Sequence, residues 1–168
     1  MKKRYILMML VVALGIMLTA CSSSDNGNKG NKEEAFEPTQ TTKEMVDSVL
    51  KQIEQPALME LQADMVKDLY HMDPALLDQF TIMTPLMNVK TNEIAVLKVK
   101  DAKDIAAVEA AVKQRAADVQ KQFETYLPDQ YDNAKNYKLV AKGNYIIFII
   151  SESAADLEKA FETFFVKQ

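Results

Sequence analysis

Few side chains in this sequence are equipped for covalent or metal chemistry. Cys21 is the only cysteine and His71 the only histidine among 168 residues. One thiol excludes an intrachain disulfide, a multi-cysteine zinc site and an iron–sulfur cluster, and one imidazole excludes multi-histidine metal sites. His71 precedes Met72, and Met45, Met59, Met65, Met83 and Met87 add soft thioether sulfur of the kind that suits Cu(I). Methionine at helical spacing more commonly fills gaps in a core, and packing is the reading adopted for them, with no metal. Ser151, Ser153 and Thr84 carry hydroxyls, but a serine mechanism would require His71 as base and no motif frames either partner. The two serines read instead as helix caps. Glu33 with Glu34, and Asp129 with Asp132, are carboxylate pairs without the alternating oxygen ligands and fixed glycine of a calcium loop. They read as solvating charge. No catalytic residue, metal or cofactor is expected, and the chain is not expected to be an enzyme.

Cys21 has a more specific setting. Lys2, Lys3 and Arg4 precede an apolar run from Ile6 to Leu18, and Leu18-Thr19-Ala20-Cys21 follows. Basic, apolar and small-residue regions in that order make a signal peptide. At about 1.5 Å per residue the run spans roughly 20 Å, short of the ~30 Å hydrocarbon core, so a permanent transmembrane helix is disfavoured. The last four residues resemble the lipobox of bacterial lipoprotein precursors. The resemblance implies that Leu18, Thr19 and Ala20 are read by the signal peptidase and that the Cys21 thiolate takes a diacylglyceryl group. Acyl chains of the palmitate type, at ~0.8 kcal/mol per buried CH₂, would hold the protein on the extracytoplasmic face of the cell membrane. The membrane is thus an expected partner through the Cys21 lipid.

Residues 1–20 therefore read as signal peptide and 21–41 as a lipid-anchored, disordered tether. The tether is rich in Ser, Asn, Gly, Lys and Glu and has little apolar surface with which to offset chain ordering. About 20 such residues reach some 25 Å as a random coil. Removing residues 1–20 leaves 17 basic against 24 acidic residues, a net charge of −7. That balance disfavours nucleic acid as a partner. Beyond the tether the only glycine is Gly143, so a phosphate-cradling glycine loop is not expected.

Residues 42–168 read as one α+β extracytoplasmic domain. Thr41 and Glu44 make a capping box, and Met45, Val46, Val49, Leu50 and Ile53 recur at helical spacing until Pro56. Ala63–Tyr70 reads as a second helix, closed near His71, with Asp73 and Pro74 opening a further turn through Leu77. Phe80–Thr84 and Glu93–Lys100 are β-favouring and predict a hairpin across a turn near 88–92. A long helix runs from Asp101 to about Tyr126 on a stripe of Ile105, Val108, Val112, Val119 and Phe123, and Pro128 opens a short helical segment. Tyr137–Lys142 and Tyr145–Ile150 flank Gly143-Asn144, the signature of a tight hairpin. A last helix follows over Ala154–Val166. The expected architecture is a four-stranded antiparallel sheet of two hairpins, covered by helices on one face.

Asp68-Leu69-Tyr70, Asp73-Pro74, Asn92-Glu93-Ile94-Ala95-Val96 and Lys142-Gly143-Asn144-Tyr145 occur in that order between Ala63 and Phe164. In this the chain resembles a family of uncharacterised bacterial lipoproteins found mainly in Gram-positive anaerobes and classed as a domain of unknown function. The resemblance implies architecture and location and carries no site residues. Tyr126, Tyr131, Tyr137 and Tyr145 gather around the second hairpin and are the expected ligand-binding residues, because an exposed phenol ring offers apolar area with a polar tip. The leading expectation is a non-enzymatic interaction or accessory module binding another envelope protein. The alternative is a surface lipoprotein that binds a small ligand or a metal.

Overall fold

A computed structural model describes residues 37–167. The expected signal peptide, Cys21 and most of the expected tether lie outside the described residues. Glu37 pairs with Lys98 at 2.9 Å. Thr41 then closes its box with Glu44: its hydroxyl accepts from the Glu44 amide at 3.2 Å and its own amide donates to the Glu44 carboxylate at 2.8 Å. Helix α1 follows over Thr42–Leu50. After it come β1 (Leu58–Glu60), α2 (Ala63–Tyr70), a 3₁₀ turn at Pro74–Leu76, β2 (Leu77–Pro85) and β3 (Glu93–Val99). A second 3₁₀ turn at Ala102–Asp104 leads into α3 (Ile105–Phe123), then α4 (Pro128–Lys135), β4 (Lys138–Lys142), β5 (Tyr145–Ile150) and α5 (Ala154–Glu162).

Both expected hairpins form. β2 pairs with β3 and β4 with β5, all antiparallel, and β3 joins the hairpins by pairing with β5 from Glu93 opposite Ile150 to Lys98 opposite Tyr145. Gly143 has φ 57° and is the only glycine of the described residues with positive φ, while Asn144 stays negative. That is the pattern of a II′ turn, in which glycine leads.

The sheet has five strands, in the order β1-β2-β3-β5-β4, where the sequence predicts four. The additional strand is the short edge piece Leu58–Glu60, paired with Met83–Pro85. Leu, Met and Glu are no better suited to a strand than to a helix, and three residues show no alternation, so its pattern is silent.

The sheet is also covered on both faces rather than on one. In β3 and β5 both sets of alternate residues are buried. Ala95, Leu97, Val99, Ile146, Phe148 and Ile150 pack with Val66 and Tyr70 of α2 and with Val108, Val112, Ala116, Val119 and Phe123 of α3. Ile94, Val96, Ile147 and Ile149 pack on the opposite side with Met45, Val46 and Val49 of α1 and with Leu157 and Phe161 of α5. An uninterrupted run such as Tyr145–Ile150 cannot leave either face in water, which is why helices cover both.

Candidate functional site

The two-sided sheet creates an exception to its own rule at the start of β3. Glu93 is in step with Ala95 and Leu97, so its side chain enters the core under α2 and α3, where it is 1% exposed. A carboxylate there must be neutralised and hydrogen-bonded, since an isolated buried charge is strongly unfavourable. Two residues meet that need. Tyr70, the last residue of α2, is fully buried and donates its phenol proton to Glu93 Oε1. Arg115 lies on the apolar stripe of α3 between Val112 and Val119, and its Nε donates to both carboxylate oxygens at 3.1 and 3.2 Å while Nη2 donates to Oε2 at 2.7 Å. The guanidinium also lies 5.9 Å from the centre of the Tyr70 ring.

Burial pushes the Tyr70 phenol well above its ordinary range, and the adjacent Glu93 charge adds to that. For Arg115 burial works against the cation, but the Glu93 carboxylate outweighs it and holds the guanidinium charged. Glu93 spends its lone pairs on these donors, so it is poorly placed to act as a free base. Arg115 has a donor to spare. Its Nη1 has no partner among the described residues and is not among the fully buried atoms.

Arg115 borders a cleft of about 210 Å³. Leu69, Val119 and Phe123 supply apolar wall; Glu93, Arg115 and Lys90 supply charge; Asn88, Thr91 and Gln122 supply polar groups. Behind it, Thr91 is held by Gln130 and Asn133: the Thr91 amide donates to Gln130 Oε1 at 3.0 Å and Asn133 Nδ2 donates to Thr91 Oγ1 at 3.1 Å. Asn92, pointing to the other face, donates to Glu152 Oε2 at 2.7 Å, and its Oδ1 is, among the described residues, the one buried side-chain oxygen or nitrogen without a partner. The loop carrying Lys90 and Thr91 into β3 is thereby fastened by side chains rather than by strand pairing.

The residues singled out in the sequence lie elsewhere. Leu18, Thr19, Ala20 and Cys21 are outside the described residues. Tyr126 is 64% exposed just after α3. Tyr131 and Tyr137 lean on the α2–α3 side of the core, Tyr137 meeting Phe148 edge-on at 5.7 Å between centroids. Tyr145 is buried on the opposite face of the sheet, edge-on to Phe165 at 5.3 Å. The four phenols therefore do not share one surface. His71 caps α2 with φ 53° and its Nε2 lies 2.8 Å from Asp118 of α3, which holds that carboxyl below its usual range. Ser151 donates to Gln55 at 2.8 Å and accepts from the Ser153 amide, so it shares no hydrogen bond with His71. Ser153 occupies the N-cap of α5 without a side-chain cap bond. Met45 and Met72 are buried, whereas Met59, Met65 and Met87 are exposed. Among the described residues no group of three His, Cys, Asp or Glu side chains could hold a metal ion. Asp129 accepts from Gln130, and Asp132 pairs with Lys135.

Glu93, Arg115 and Tyr70 escape a search for catalytic motifs, yet two of them leave a signal. Arg115 falls on the buried stripe at the spacing of Val108, Val112 and Val119, and Glu93 falls on the inward parity of an apolar strand. Charges at two core positions of opposite sign imply a buried pair.

Residues 51–151 match the family model described as Domain of unknown function (DUF4358), and the chain belongs to that family. No curated protein and no solved structure matches the chain.

Proposed function

We propose that this protein is a non-enzymatic interaction or accessory module, held on the extracytoplasmic face of the cell membrane by a lipid on Cys21. The observation that carries the non-enzymatic reading is the closed state of the buried charges. Glu93 is occupied by Tyr70 and Arg115, and the exposed His71 pairs with Asp118 and shares no hydrogen bond with a hydroxyl, so among the described residues no base is poised beside a nucleophile. Support for the anchor comes from the sequence: Lys2, Lys3 and Arg4, the apolar run and Leu18-Thr19-Ala20-Cys21. No described helix is long and apolar enough to cross a membrane. The partner in this reading is another envelope protein. Crosslinking at the surface of the producing cells, followed by identification of what the full chain captures, tests it. Reproducible recovery of one envelope protein is expected; recovery of this chain alone would remove the reading.

A specific observation favours a second reading, binding of a small ligand. The cleft beside Arg115 is bounded by both apolar and charged groups, the usual make-up of a ligand site. The Met residues give a metal less support, because they are scattered between core and surface.

A further inference from the structure

The charged groups bordering the cleft do not cancel. Glu93 is matched by Arg115, which leaves the Lys90 ammonium in excess. Lys90 has no salt bridge among the described residues. Asp129 and Glu152, whose carboxylates feel its charge, remain charged but neither lines the cleft. The cleft is thus lined by two cationic side chains, Lys90 and Arg115, and Nη1 of the latter is unused. The second is fixed in place, since the same guanidinium is clamped to Glu93 through its other edge. A donor already held in its bound geometry loses little freedom on binding.

The remaining wall sets the rest of the ligand. Leu69, Val119 and Phe123 are apolar and face a volume of about 210 Å³, below the roughly 300–1,000 Å³ of clefts that take drug-sized molecules. Resting on the small-ligand reading above, we propose that this cleft binds a small monocarboxylate with a short aliphatic tail, its carboxylate between Arg115 and Lys90 and its tail against Leu69, Val119 and Phe123.

Ligand-dependent thermal stabilisation of the full chain in detergent tests this. The probes are butyrate and isovalerate, their neutral amides, and inorganic phosphate as an anion without a tail. The carboxylates should raise the melting temperature and the amides and phosphate should not. Lys90→Gln, a change at a loop position, should weaken carboxylate binding at least about tenfold, because a hydrogen bond to a charged group is lost. Gln122→Trp, placing a ring at the exposed rim, should abolish it. Equal shifts from amide and carboxylate, both removed by Gln122→Trp, would overturn the carboxylate assignment and leave a small-ligand cleft. So would carboxylate binding indifferent to Lys90→Gln. The absence of a shift with every probe would overturn both.

Discussion

Replacing Glu93 by Gln keeps the shape of the side chain and an oxygen for the Tyr70 phenol, but removes the charge that neutralises Arg115. The side chains of Glu93 and Arg115 are 1% and 14% exposed. Breaking a buried ion pair from one side typically costs about 3–5 kcal/mol, because the surviving charge is left uncompensated. Arg115 retains a route to water through the cleft, so Glu93→Gln should fall at the lower end, near 3 kcal/mol. Arg115→Met strands Glu93 with only a phenol and should fall at the upper end, near 5 kcal/mol. Against the 5–15 kcal/mol usual for a domain, either is a large fraction of the whole. Replacing both together, Glu93→Leu with Arg115→Met, removes both desolvation costs but orphans the buried Tyr70 phenol, so it should cost about 1–3 kcal/mol, less than the two single variants together. Urea unfolding followed by circular dichroism measures all three, with the slope unchanged if the native state is kept. Single variants that each cost less than about 1 kcal/mol, or a double variant as unstable as the sum of the two, would refute the account of this pair.

Tyr70 predicts an alkaline limit. Its folded pKa lies above its unfolded one, so the phenol's contribution is complete below the unfolded value of about 10 and is lost as pH rises towards the folded one. Stability should therefore fall above about pH 10, and Tyr70→Phe should remove that component while costing about 1.5–3 kcal/mol at neutral pH through the lost bond to Glu93. Urea midpoints against pH, with phenolate absorbance, check both. Gly143→Ala should destabilise by about 1–2 kcal/mol, since φ 57° forces a Cβ against the neighbouring carbonyl; the same urea assay measures it. Thr41→Ala breaks the box that starts α1 and should cost about 1 kcal/mol, with faster hydrogen exchange confined to that helix if the effect is local.

Local rules carried much of the fold. The Thr41–Glu44 box, the Gly143-Asn144 hairpin and the stripe of α3 each lie within a few residues or turns of chain, where propensity and periodicity act, whereas the first helix, expected to run to Pro56, already ends at Leu50. The third dimension was less legible. Tyr145–Ile150 is apolar at every position, which states that both faces are covered but gives no period to assign to either. Leu58–Glu60 becomes a strand only because Met83–Pro85 offers it an edge, a contact 25 residues away. The site was least legible for the same reason. Tyr70, Glu93 and Arg115 come from three elements and have no common motif. The four tyrosines are close in sequence, yet alternation across β5 and its neighbours sends Tyr145 and Tyr137 to opposite faces.

The proposal that Cys21 anchors this domain outside the membrane is tested most directly in cells fed an alkyne-bearing fatty acid, with protease then added from outside. The full chain should incorporate the label and lose its domain to the protease, while Cys21→Ala should carry no label and leave the membrane fraction or remain unprocessed. Label retained by Cys21→Ala, or a domain shielded from protease in intact cells, would contradict the account.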